Sequence, residues 1–493
     1  MLKFLADPKK IFNETVVFFV SLFIGIRVLS FLLAPHLFFQ AIFVLSFIFL
    51  FGILYFYKPE WAWIILIGEL FLGGAGHFFE FAGLSIRTLL VLIFIVLWFI
   101  TPLLSKKYKN EISLPATPSF LILLLLIYLA LTSVMALLNG HEFKAIVQDF
   151  LPFSILLLTP ACYFFLKEHK TQIKLLQLSV SFIIGSFLFS LFNFITFSTG
   201  FTKIHGIYYK WFRDVAMGKI TEMGNGFFRI VTPEHLLLVV LSLILVGLLI
   251  KKQKDYKKFL TIILLLSFFV LVLNFSRAYF LGFGAGLLVL KYKHNWKKWF
   301  IISAFSVISI ILIFFSTSFI ASGASSFGLP LLGVRTASFV QPQIEKSTAT
   351  RMTLIKPILA KIKTSPILGT GLGASITYTS LTSYEQITTR QFDWGYFEML
   401  AELGIMGLAI FLALILYIKQ TLITKINIVQ SDYKNLYIGL FSGLIALLVI
   451  NITTPALFHT LGLFFIVIIL AISSRSVTIW EKLSDFFTRF TKI

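Results

Sequence analysis

Apolar residues run along this chain in long blocks, and polar residues are confined to the gaps between them. Blocks long enough, or nearly so, to cross a hydrocarbon layer lie at roughly 15–34, 37–57, 61–77, 84–103, 118–138, 148–166, 175–197, 234–250, 259–275, 278–290, 299–320, 396–418, 435–454 and 456–473. The pattern predicts an all-α polytopic membrane protein of about 12–14 transmembrane helices. The block at 278–290 is short for the hydrocarbon thickness, which predicts a tight hairpin with its predecessor around Ser276-Arg277. No internal sequence repeat is visible. Nothing at the start resembles a cleaved signal peptide, because the first block is long and no small-residue cleavage pattern follows it.

The gaps sort by charge. Lys3, Lys9 and Lys10, Lys106, Lys107 and Lys109, Lys167, Lys170 and Lys174, Lys251 to Lys258, Lys291 to Lys298, Lys419, Lys425 and Lys434, and finally Arg475, Lys482, Arg489 and Lys492 all fall on one side if every block spans. The positive-inside rule makes that side cytoplasmic, with both termini there. The tail at 474–493 reads as a cytoplasmic amphipathic helix on the inner leaflet.

Composition agrees: 58% of the 493 residues are hydrophobic and 13% charged, against about 25% charged in soluble domains. A net charge of +21 would elsewhere suggest nucleic acid, but here it chiefly sets topology, and no nucleic-acid partner is expected. The one cysteine, Cys162, excludes a disulfide framework and Cys-based zinc or iron–sulfur sites. The histidines lack metal-ligand spacing, so neither metal nor cofactor is predicted.

On the opposite side two connections are long, at about 198–233 and 321–395. The chain thus divides into a helical bundle at 1–320, a large external loop at 321–395 and C-terminal helices at 396–473. Both long connections are basic. Arg213 and Arg229 stand in the first, and Arg335, Arg351, Lys356 and Arg390 in the second. External loops are usually poor in Lys and Arg, so an anionic ligand such as a phosphate, a diphosphate or an acidic sugar is a direct explanation. Attraction to anionic lipid headgroups is the alternative.

Three stretches carry more than composition. Asn274-Phe275-Ser276-Arg277-Ala278-Tyr279 puts an arginine at a membrane edge, suited to a phosphate, or else merely snorkelling. Residues Arg351 to Lys363 predict a basic amphipathic helix on the bilayer surface, with a break or a kink at Pro357. The glycines of Pro366-Ile367-Leu368-Gly369-Thr370-Gly371-Leu372-Gly373, which follow it, would let the backbone turn close to a ligand or a helix. Last, Asp393-Trp394-Gly395-Tyr396-Phe397-Glu398 runs on to Glu402-Leu403-Gly404-Ile405-Met406-Gly407 and brings carboxylates to the membrane edge, where they are costly and suggest function. Gly404 and Gly407 would permit close helix approach. Asp393 could instead be a helix N-cap. Arg27 and Glu69, inside apolar blocks, could pair across helices.

These motifs, in this order, resemble the O-antigen ligase / Wzy-type O-antigen polymerase family of bacterial membrane glycosyltransferases. The resemblance covers roughly 230–473 well and the first half only by hydropathy. It implies a GT-C-like bundle and metal-independent chemistry on undecaprenyl-diphosphate-linked glycan at the outer face of the cytoplasmic membrane. The other substrate would be a glycan or lipid acceptor. Membrane lipids, a chain-length regulator and a flippase would be further partners. The family's two key arginines map onto Arg277 and Arg351, which would hold the diphosphate. The ligases carry a histidine eleven positions before the first glycine of a Gly-x-x-Gly, and here that position is Asp393, followed by Trp394. Asp393 would be the general base, with Glu398 as the alternative. Arg213, Arg229, Arg335, Lys356, Arg390 and Trp394 would contact substrate. An aspartate there favours a polysaccharide polymerase over a ligase. A lipid-linked oligosaccharide flippase is the rival of another class.

Overall fold

The computed structural model describes residues 13–104, 115–250, 257–292, 295–341, 346–379, 384–429 and 433–474. Residues 475–493 of the tail expected at 474–493, and several of the topology-setting lysines, lie outside the described residues. Every apolar block of the sequence is occupied by helix. In chain order these are α1 (Glu14–Leu33), α2 (Leu37–Tyr57), α3 (Pro59–Leu72), α4 (Ile86–Leu104), α5 (Ala116–Leu138), α6 (Phe143–Phe150) continued through a 3-10 run into α7 (Thr159–Phe165), and α8 (His169–Ser198). After the first long connection come α10 (His235–Leu249), α11 (Lys257–Asn274), α12 (Arg277–Val289) and α13 (Trp296–Ala321). The second long connection leads to α16 (Gly395–Ile428), α17 (Tyr433–Ile450) and α18 (Thr460–Ser473). Among the described residues nine helices are long and apolar enough to cross a membrane, and the protein is an all-α multi-pass membrane protein.

Neither long connection is structureless. The first holds α9 (Ile207–Asp214) and a hairpin of β3 (Lys219–Glu222) with β4 (Phe228–Val231). The second holds α14 (Leu329–Val340), α15 (Lys346–Thr364) and a hairpin of β5 (Ile376–Thr379) with β6 (Gln386–Thr389). A short hairpin, β1 (Glu80–Phe81) with β2 (Leu84–Ser85), precedes α4.

Burial separates inner from outer helices. α10 and α18 are apolar and buried nearly all round. α2 and α13 instead expose Phe38, Leu45, Phe49, Phe300, Ile308 and Leu312, as a lipid-facing surface requires. α17 packs against both α10 and α12, where Ser442 Oγ donates to Gly286 O at 2.6 Å.

Four expectations need correction. Arg27 does not pair with Glu69. Its Nη2 lies 2.9 Å from Glu234 Oε1, while Glu69 takes Arg87 Nε at 2.7 Å. α15 runs unbroken through Pro357. The proline forfeits one backbone donor, but packing outweighs that loss: Leu354 and Ile358 are buried in a small core with Ala374, Ile376, Phe392 and Ala401. The helix therefore rests on α16 and β5. Asp393 is not the N-cap of α16, a position held by Trp394.

The fourth concerns Gly404, which serves a break inside α16 rather than close helix approach. Its φ of 64° and ψ of −171° are not helical. The loop at 366–371 repairs the break. Ile405 N donates to Pro366 O at 2.9 Å and Met406 N to Ile367 O at 3.1 Å, while Thr370 N and Gly371 N reach Ala401 O and Glu402 O at 2.8 and 3.0 Å. Tyr128 Oη adds a bond to Leu403 O at 2.7 Å. A broken helix in an apolar bundle is tolerated only where its freed backbone groups find partners, and here the loop supplies them.

Candidate functional site

The α11–α12 hairpin turns through Asn274, Phe275 and Ser276, with Phe275 at φ 48° and Ser276 at the N-cap of α12. Arginines gather on this turn. Arg277 Nη2 donates to Thr348 Oγ1 on α15. Arg229, from β4, donates through Nε to Asn274 O at 2.8 Å. The Arg335 guanidinium, from α14, lies 5.2 Å from the centre of the Phe275 ring, and its Nη2 is 3.9 Å from Met223 Sδ. Thr348 stands one helical turn before Arg351, so α15 brings a fourth arginine to the same place.

Arg351 faces Asp393. Its Nε is 3.8 Å from Asp393 Oδ2, an ion pair too long for a hydrogen bond, with side chains 28% and 44% exposed. Trp394 closes the contact from behind, donating Nε1 to Arg351 O at 3.0 Å. Asp393 holds φ at 57°, in the left-handed region that most non-glycine residues avoid. Backbone strain of this kind tends to cluster at functional sites.

Behind Asp393 the acids go deeper. Glu398 and Glu402 sit one turn apart on α16, and both are buried. Glu398 lies in the field of Asp393 and of Asp149 from α6. Glu402 Oε1 accepts from Ala374 N at 3.0 Å. The second carboxylate oxygen of each glutamate has no hydrogen-bond partner among the described residues. Arg390, in the field of Asp149, donates Nη2 to Gln148 Oε1 at 2.9 Å. Among the described residues no three His, Cys, Asp or Glu side chains are grouped to hold a metal ion.

The structure thus brings together Arg277, Arg351, Arg229, Arg335, Asp393, Trp394 and Glu398 from segments far apart in sequence. Arg390 stands with the deeper acids. Arg213 is placed otherwise: it is exposed and holds its neighbour Asp214 at 2.7 and 3.1 Å, which keeps that carboxyl below its ordinary range. Lys356 is exposed on α15. Sequence reasoning missed Asp149, although an acid inside the apolar block at 148–166 was a signal in its own right.

Residues 261–412 match the model of a family described as O-antigen ligase. The match spans less than a third of the chain. No curated protein matches the chain. The matched segment contains Arg277, Arg335, Arg351, Arg390, Asp393, Glu398 and Glu402, and with them the break in α16 at Gly404. Arg229 and Asp149, which complete the geometry, lie outside it. Together with the apolar helices, this match supports a glycan-handling membrane enzyme of the O-antigen ligase or polymerase type.

Proposed function

We propose that the protein is a glycosyltransferase of the cytoplasmic membrane, working at its outer face on undecaprenyl-diphosphate-linked oligosaccharide, and that it polymerises polysaccharide repeat units. The observation that carries this reading is the approach of Arg351 to Asp393 at 3.8 Å, beside the turn that carries Arg277. Asp393 takes the proton of an acceptor sugar hydroxyl, whose oxygen bonds to the anomeric carbon of the donor. The anomeric carbon–oxygen bond to the diphosphate breaks, and its electron pair leaves with the lipid diphosphate. Arg277 and Arg351 bind that diphosphate and stabilise its growing charge. Arg229 and Arg335 enlarge the positive field, and Trp394 offers an aromatic face beside the base.

Sidedness is supported by the opposite end of the bundle, where Lys167, Lys174, Lys257, Lys258, Lys291, Lys297, Lys298 and Lys434 lie in short connections or at helix ends. Both termini are then cytoplasmic. An aspartate where the ligases carry histidine favours polymerase over ligase.

The test is reconstitution of the purified protein with lipid-linked repeat units alone. A ladder of longer lipid-linked chains is expected. No product until a second acceptor is added would make it a ligase. Movement of the donor across liposomes without any new glycosidic bond would sink both readings in favour of a flippase.

A further inference from the structure

The turn that carries Arg277 is braced from behind by residues outside the matched domain. Asn274 is fully buried. Its Nδ2 donates to His235 Nδ1 at 2.9 Å, so the ring presents a bare Nδ1 and carries its proton on Nε2. The backbone carbonyl oxygen of Asn274 meanwhile accepts from Arg229 Nε. His235 begins α10, and the residue before it, Glu234, is held by Arg27 of α1 at 2.9 Å, both side chains almost wholly buried. Arg27 is fixed in turn by two backbone carbonyls, Phe23 O at 3.0 Å and Leu72 O at 2.9 Å, and by the Phe23 ring, 3.4 Å below its guanidinium. The chain of contacts therefore runs from α1 through Glu234 and His235 to Asn274, three residues before Arg277.

A buried ion pair is weak evidence for stability, because desolvation offsets most of its attraction. It is better suited to fixing one arrangement among several. Here it fixes the start of α10, and with it the imidazole against which Asn274 is oriented. Asn274 ends α11 and Arg277 opens α12, so rotation of Asn274 would swing the arginine away from Thr348.

We propose that Arg27, Glu234 and His235 are positioning residues that set the Asn274–Arg277 turn for diphosphate binding. This rests on the reading of Arg277 as a diphosphate ligand. The probe is inorganic pyrophosphate, titrated against the intrinsic fluorescence of the full-length protein in lipid nanodiscs, with the thermal midpoint measured alongside.

His235→Phe keeps the ring size but removes the acceptor, and pyrophosphate affinity is expected to fall about tenfold. His235→Gln, whose amide oxygen can accept from Asn274, is expected to restore most of it. A merely structural role would lower the thermal midpoint and leave pyrophosphate affinity unmoved, and that result would overturn the proposal. So would equal weakening in the Phe and Gln variants. Should His235→Phe not reach the membrane, Glu234→Gln removes the charge facing Arg27, and wild-type affinity in that variant would overturn the proposal as well. Arg277→Ala separates the two claims. If it binds pyrophosphate normally, the diphosphate reading itself fails, whereas its loss beside a normal His235→Phe rejects only the positioning role.

Discussion

Arg351 Nε stands 3.8 Å from Asp393 Oδ2, and this pair joins the arginine-rich turn to the acids of α16. Truncating Arg351 removes charge from the leaving-group side and releases Asp393 at once. Arg351→Ala is expected to lower glycan transfer by about a hundredfold or more while membrane insertion is unchanged. Arg351→Lys should recover little, because an ammonium cannot match the forked contact of a guanidinium with a diphosphate. Turnover of lipid-linked donor in proteoliposomes checks both.

Two carboxylates compete for the role of base. Asp393 is half open and strained, whereas Glu398 is buried behind it. Asp393→Asn is therefore expected to reduce kcat by about 10²–10⁴-fold. Glu398→Gln should cost less than about tenfold, through the field at Asp393. If the two variants behave the other way round, the base is Glu398.

The arginines should divide in a binding measurement. Arg229 touches the turn, and Arg229→Ala should raise the donor KM by about tenfold. Arg213 is exposed and occupied by Asp214, so Arg213→Ala should stay within about twofold of wild type.

The break in α16 predicts a stability effect without any change in chemistry at the reacting atoms. Gly404→Ala would place a side chain at φ 64° and ψ −171°, in contact with the Ile367 carbonyl. Gly369→Ala, at φ 78°, would drive its Cβ into the Glu402 carbonyl. Each should destabilise by about 1–3 kcal/mol, or more where the backbone must move. Thermal unfolding in detergent reads the loss, and an unchanged midpoint in both would mean that the loop and the helix are not stitched together.

Hydrophobic pattern alone located every helix of the bundle, because in a bilayer apolarity over sufficient length is most of what a helix requires. The same logic points to Arg277 and Asp393 as charges that are costly at a membrane edge, whereas Arg351 is singled out by the family resemblance. What stayed hidden was pairing across long sequence distance. Nothing local tells Arg27 to choose Glu234 over Glu69, since both are acids near apolar blocks. The local rule for Pro357 predicts an interruption, and the burial of Leu354 and Ile358 overrides it. The local pattern at Gly404 suggests only packing, because its other role depends on a loop some 35 positions earlier that supplies the missing backbone partners.

The loop at 366–371 has a practical consequence for anyone recombining such enzymes. Its bonds to α16 lie within the segment at 261–412, whereas those from Tyr128 to Leu403 and Leu368 tie that segment to the first half of the chain. Asn139 and His141 hold Thr370 O and Leu372 O in the same way. A graft cut at the edges of that segment would carry Arg277, Arg335, Arg351 and Asp393 but leave Arg229 and the contacts from Tyr128, Asn139 and His141 behind. Chimaeras that move α5 and the residues around His141 together with it should keep the break closed.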